Sequence, residues 1–243
     1  MRRIFAGILC MGVLFTGAVP CSASAPLGYD EYGDPIVTAT PVPDAQTADS
    51  SGQAVADTAP AHSSYYSQAA DTDSIEGWPT GPNIEAQAAV LMDVNTEAVL
   101  YSKNADTQLY PASITKIMTA MLALKYGNMD DVVTITQENL NLEEGSQVCG
   151  FWAGDQVTMD QLLHCLLVYS GNDAAAAIAE HVGGSTDGFV EMMNSYAREL
   201  GCTGTHFTNP HGLQDENHYT TSYDIYLMLK EALNYPEFTD ITQ

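Results

Sequence analysis

The sequence predicts an α/β protein of the α+β kind, preceded by an export signal and a long spacer. Three observations carry this. Ala88 to Asp93 and Ala98 to Ser102 are two short apolar runs joined by a polar tip, Val94-Asn95-Thr96, the pattern of a β-hairpin. Beyond Pro111, apolar residues recur at helical spacing in successive segments bounded by capping residues and glycines. Between about Pro26 and Pro82 the chain has neither period, and it lacks Lys and Arg altogether.

The N-terminus runs Met1-Arg2-Arg3 and is then apolar from Ile4 to Val19, ending near Ala23-Ser24-Ala25. A positive start, a short apolar core and small residues at the end make residues 1–25 a signal peptide. The apolar run falls short of the ~20 residues that a membrane span needs. Pro20 fits poorly with a lipid anchor on Cys21, so beyond the signal no membrane anchor is expected. Residues 26–82 are rich in Ala, Thr, Ser, Pro, Gly and Asp and cannot bury enough apolar surface to offset their ordering entropy, so a disordered spacer is expected there. Residues 83–243 are left as the folded domain.

The whole chain holds 31 acidic residues against seven basic ones, a net charge of −24. Arg2 and Arg3 leave with the signal. Such a balance argues against nucleic acid and against anionic membrane surfaces as partners. The mature cysteines, Cys149, Cys165 and Cys202, are odd in number and widely spaced, which gives neither a disulfide framework nor a zinc pattern. His206, His211 and His218 match no helical ligand pair, and the acidic residues form no EF-hand-like loop; no metal and no cofactor are expected.

In order, the hairpin is followed by a helix opening near Ser113 and ending at Gly127. Val132 to Ile135 is a β-branched strand candidate, and Leu140 to Gly154 is a loop. Thr158-Met159-Asp160-Gln161 is a capping box for a helix carrying Leu162, Leu163, Leu166 and Leu167. Another helix begins at Asp173 and closes at Gly183-Gly184. A further one, from Thr186 to Leu200, places Phe189, Met193, Tyr196 and Leu200 on one face. Thr221 caps the last, through about Leu233.

The chemistry centres on Pro111-Ala112-Ser113-Ile114-Thr115-Lys116, which leads into Ile117, Met118, Met121 and Leu124 at helical spacing. Residues three apart share a helix face, so the Lys116 amine lies beside the Ser113 hydroxyl. A serine becomes a nucleophile when a base takes its proton, and a lysine desolvated by burial can be that base. Backbone N–H groups at the helix start can stabilise developing negative charge. Alone, S-x-x-K is also the pattern of a capping serine and a snorkelling lysine. A second element, Ser170-Gly171-Asn172, stands between two expected helices, where a hydroxyl and an amide can project into a cleft.

With these elements in this order, the sequence resembles the serine-type D-alanyl-D-alanine carboxypeptidases of the S11 peptidase family, low-molecular-mass penicillin-binding proteins. The resemblance covers roughly Ala88 to Phe238. It rests on Ala89 to Asp93, Pro111 to Thr119, Ser170 to Ala175, and His206-Phe207-Thr208-Asn209-Pro210-His211-Gly212-Leu213, continuing through Asp215 to Thr221. It implies a serine β-lactamase/penicillin-binding-protein-like fold, an antiparallel sheet beside a helical subdomain. It also implies a secreted, cell-envelope enzyme whose partner is a peptidoglycan stem peptide ending in D-Ala-D-Ala, with β-lactams as inhibitors. Carried onto this chain, Ser113 would be the nucleophile and Lys116 its base. Ser170 would relay a proton to the leaving amine, and Asn172 would bind Lys116 and the substrate backbone.

The family's third element, a K-T-G strand, occurs nowhere before Gln243. In the family that strand supplies a lysine for the substrate carboxylate and an oxyanion N–H; losing one such donor costs ~100-fold or more in rate. The chain is therefore expected to be a truncated member that lacks its closing strands. Two other readings follow: a catalytically incompetent remnant that binds peptidoglycan, or a related serine hydrolase such as a β-lactamase. Glu138-Asn139-Leu140-Asn141 is similar to the deacylating glutamate segment of class A β-lactamases, but it precedes Ser170-Gly171-Asn172, whereas in those enzymes it follows the equivalent element.

Overall fold

A computed structural model of the chain describes residues 62–243. The expected signal peptide, and the spacer as far as residue 61, lie outside the described residues. The hairpin forms from β1 (Ala89–Asp93) and β2 (Ala98–Lys103), antiparallel with Ala89 opposite Lys103 and Asp93 opposite Ala98. A bulge interrupts the register between Leu91 and Met92. The tip is shaped by Asp93, whose Oδ1 accepts from the Asn95 N–H at 2.9 Å, the local bond that makes Asp a turn former.

The serine segment starts as a 3₁₀ turn, Ala112–Thr115, and passes directly into α1 (Lys116–Tyr126), which Gly127 closes. Then come β3 (Val132–Thr134) and β4 (Gln156–Thr158), paired antiparallel. The capping box at Thr158 is present: its Oγ1 accepts from Gln161 N at 3.2 Å and Gln161 Oε1 accepts from Thr158 N at 2.9 Å. It opens α2 (Met159–Leu167), which is followed by α3 (Asn172–Gly183), α4 (Thr186–Glu199), α5 (Ser222–Ala232) and α6 (Pro236–Thr242). Strand β4 and helix α6 are additions to the sequence-based order. Small antiparallel ladders beside a helical bundle make the fold α+β.

Helix α1 is the axis of the bundle and packs against α2, α3, α4, α5 and α6. Its Met118, Met121 and Leu122 are fully buried, together with Leu162, Leu163 and Leu166 of α2, Ile178 of α3 and Phe189 and Met193 of α4. Each such side chain contributes about 1.5–3 kcal/mol by leaving water. The run of small residues at the start of α3, Ala174 to Ala177, lets that helix approach α1 closely, and this brings Asn172 toward Lys116.

Residues 64–82, assigned to the spacer on composition, fold against the hairpin. A 3₁₀ turn at Asp71–Ser74 buries Thr72, the Trp78 Nε1–H donates to Leu100 O at 3.1 Å, and Ser102 Oγ donates to Asp71 Oδ2 at 2.9 Å. Lys103, 0% exposed, donates from Nζ to Tyr65 O at 2.6 Å and to Ile84 O at 2.9 Å. Polar bonds, not an apolar stripe, hold this strap, so its composition gives no sign of order. Replacing Lys103 by Met takes the donor from both carbonyls, which are partly buried. The variant is expected to lose about 2–3 kcal/mol of stability, measured by urea unfolding; an unchanged midpoint would show that the strap is not clamped.

Candidate active site

Ser113 is exposed on the 3₁₀ turn, whereas Lys116, at the first position of α1, is 3% exposed. Three acceptors surround the amine. Lys116 Nζ donates to Ser113 Oγ at 3.2 Å, to Asn172 Oδ1 at 2.7 Å and to the His211 carbonyl at 2.8 Å. Burial pushes its pKa down to about 8 from 10.5, and the nearby Cys149 thiol opposes the shift. Asn172 Oδ1 and the His211 carbonyl can only accept. When the amine is neutral they take its two hydrogens, and its lone pair is left facing the Ser113 hydroxyl. That is the geometry of a general base on an activated serine.

The backbone is bent to make this possible. Ala112, just before the serine, has φ 48°, and Ser170 has φ 63°. Non-glycine residues rarely occupy this left-handed region, which costs about 1–3 kcal/mol each and concentrates at functional sites. The Ala112 carbonyl is turned against Gly212 so closely that any Cβ there would collide with it.

Asn172 is held from both sides. Its N–H donates to Gln147 O at 2.8 Å and the Gly171 N–H donates to Cys165 O at 3.0 Å. Asp173, wholly buried, accepts from Cys149 N at 2.9 Å and Gly150 N at 3.1 Å. As a carboxylate in the first turn of α3 it also meets the positive end of the helix dipole. Ser170 is half-buried on the same turn, and its hydroxyl makes no hydrogen bond among the described residues. The structure thus joins Ser113, Lys116 and Asn172 directly, while Ser170 enters only through its turn.

The third wall is the loop from Thr205 to Leu213. Asn209 Oδ1 accepts from Gly212 N at 2.6 Å and its Nδ2 donates to Leu213 O at 3.0 Å, while Thr119 Oγ1 donates to Pro210 O at 2.6 Å. On α4, Asn194 pairs with both backbone groups of Phe207, at 2.8 and 2.9 Å. His218 is 2% exposed and bridges the loop to the serine turn. Its Nδ1 accepts from Thr208 N at 3.0 Å, which fixes the Nε2–H tautomer, and Nε2 lies 2.7 Å from Thr115 Oγ1. The His211 carbonyl, Asp173 and His218 are not among the site residues that the sequence predicts. Asp173 had a readable signal, an acidic residue opening a helix; a backbone carbonyl has none. Among the described residues, no group of three or more His, Cys, Asp or Glu is placed to hold a metal ion.

The family profile of D-alanyl-D-alanine carboxypeptidases, Peptidase S11, matches residues 76–243. The chain belongs to this family. Among its S11 relatives, D-alanyl-D-alanine carboxypeptidase DacF of Bacillus subtilis strain 168 is 44% identical over 163 residues, a match covering 65% of this chain and 41% of that protein. The chain therefore spans about two fifths of the length of that relative. Among solved S11-like structures, penicillin binding protein 6B from Escherichia coli superposes with TM-score 0.65 and 34% identity, over 69% of this chain and 56% of that one. Penicillin binding protein 5 from Haemophilus influenzae gives TM-score 0.63 and 39% identity, over 67% and 49%. The expected penicillin-binding-protein-like fold stands on these likenesses.

Burial, together with the Lys116 charge, pushes the His211 pKa down to about 4, and burial does the same for His218. Both ordinarily titrate at 6.5. Between about 6.5 and 4 the folded chain binds fewer protons than the unfolded one, so stability is full above that window and is lost as pH falls through it. Urea unfolding at pH 7 and pH 4.5 is expected to show this loss. In His218→Gln the loss should shrink by on the order of 2–3 kcal/mol. An equal loss in both proteins would mean that His218 is not held neutral.

Proposed function

We propose that this chain carries the acyl-transfer centre of an exported serine D-Ala-D-Ala carboxypeptidase, which removes the terminal D-alanine from peptidoglycan stem peptides. The observation that carries the reading is the buried Lys116 amine aimed at an exposed Ser113 hydroxyl by two acceptor-only partners. The S11 relatives supply the substrate class by their names. Export rests on Arg2-Arg3 followed by the apolar run from Ile4 to Val19; the site of action is then the cell envelope.

In this reading Lys116 takes the Ser113 proton as the serine oxygen attacks the carbonyl of the penultimate D-alanine. The resulting ammonium keeps Asn172 Oδ1 and the His211 carbonyl as partners, so no charge is stranded. Ser170, with its hydroxyl unengaged, relays to the leaving D-alanine amine the proton that Lys116 took from Ser113. It gains one proton from the Lys116 ammonium as it gives one up, so that Lys116 returns to its neutral form. Asn172 offers its amide N–H groups to the substrate backbone. Water then cleaves the ester and frees the shortened stem. A β-lactam follows the same first step, but its leaving group stays tethered through the opened ring, so the whole inhibitor remains on Ser113.

Intact mass after incubation with benzylpenicillin tests the reading. The full chain is expected to gain the mass of one inhibitor, and Ser113→Ala none. No adduct on a chain shown to be folded by circular dichroism would overturn catalytic competence and favour a peptidoglycan-binding protein without acylation chemistry. The acylation rate should rise with pH through about 8 and level off above it, because the neutral amine is the active form. Lys116→Ala should lower that rate by ~10²–10⁴-fold and remove the pH step.

A further inference from the structure

The turn carrying Ser170 and Asn172 hangs from two backbone anchors, the Cys165 carbonyl in α2 and the Gln147 carbonyl in the loop before β4. Each anchor is at, or two residues from, a cysteine. The Cys149 thiol lies between them: its Sγ is 3.8 Å from Cys165 O, and a Cβ at Gly171 would run into it. Burial raises the Cys149 pKa, and the Cys165 thiol lies close enough to add to the shift. Cys165 is partly exposed and lines a surface groove beside Phe151, Val157 and His164. Cys202 is buried elsewhere, its thiol donating to Asp224 O at 3.6 Å.

We propose that Cys149 and Cys165 are a disulfide-forming pair that cross-links the two anchors of the Ser170–Asn172 turn. The bond forms by exchange with a low-molecular-weight disulfide such as oxidised glutathione. Cys165 attacks one sulfur of that disulfide and releases one thiol; Cys149 then attacks the mixed disulfide and releases the second. Two protein thiols are oxidised, one external disulfide is reduced to two thiols, and the two protein protons leave with them. An oxidising compartment outside the cell preserves such a bond. The closed state fixes Asn172, and with it the partner that orients Lys116; the open state leaves the turn on hydrogen bonds alone. The pairing stands on geometry and does not depend on the reading of Ser113.

The full chain, treated with oxidised glutathione and digested without reductant, is expected to give one linked peptide pair joining Cys149 to Cys165. The pair should be about 2 Da lighter than the two free peptides together and should separate with dithiothreitol. Cys149→Ser and Cys165→Ser should each abolish it, whereas Cys202→Ala should leave it intact. Amide hydrogen exchange over residues 145–173 should be several-fold slower in the oxidised form than in the reduced one. Glutathione adducts without a cross-link, a link through Cys202, or free thiols at both Cys149 and Cys165 after treatment would each overturn the pairing. Equal exchange in the two redox states would overturn the bracing of the turn.

Discussion

The arrangement depends on keeping one lysine amine dry and yet fully hydrogen-bonded. A bare ammonium out of water costs several kcal/mol, and removing one partner of a buried charge is far more damaging than weakening a surface pair. Lys116 avoids that penalty only because three distant parts of the chain converge on it: the turn at Ser113, the start of α3, and the loop through His211. The convergence imposes its own requirements. The close approach of α3 needs small residues, the loop needs Asn194, Thr119 and His218 to hold its backbone, and the serine turn needs a left-handed Ala112 facing a glycine. Packing, backbone strain and local hydrogen bonds are thus subordinate to one charge balance.

Cations are scarce in this chain, and the described ones show where they matter. Beyond Arg2 and Arg3 the basic residues are Lys103, Lys116, Lys125, Arg198 and Lys230. Lys103 and Lys116 are both buried and both grip carbonyl oxygens. Lys125 sits 3.7 Å above the Tyr196 ring, where the quadrupole of the aromatic face attracts it. Among the described residues the acidic side chains lie largely at the surface, while Lys103 and Lys116 hold pieces of backbone in place.

What could be read from the sequence follows from how local each signal is. The hairpin, the Thr158 capping box and the apolar face of α4 are encoded within a few residues of themselves, and so is the i, i+3 placement of Lys116 beside Ser113. Strand β4 has three residues and no alternation, and α6 is barely two turns long beginning at a proline, so neither leaves a period to find. The strap at 64–82 is ordered by donors and acceptors supplied from β2. Asn172 meets Lys116 across 56 positions and His218 meets Thr115 across 103, separations at which spacing conveys nothing. The left-handed conformation of Ala112 is likewise invisible, because alanine has no sequence association with that region.

The clamp on Lys103 also decides where the domain can be cut. A fragment starting at residue 76, where the family match begins, keeps the Ile84 carbonyl but discards Tyr65. That cut also removes Thr72 from the face of the hairpin, and one at 83 removes Trp78 as well. In either case a lysine enclosed by the strap would be left with an empty acceptor position, and β2 would carry a buried charge with one partner fewer. Biochemical work on an excised domain would then report the effect of the cut at the hairpin along with the chemistry of Ser113.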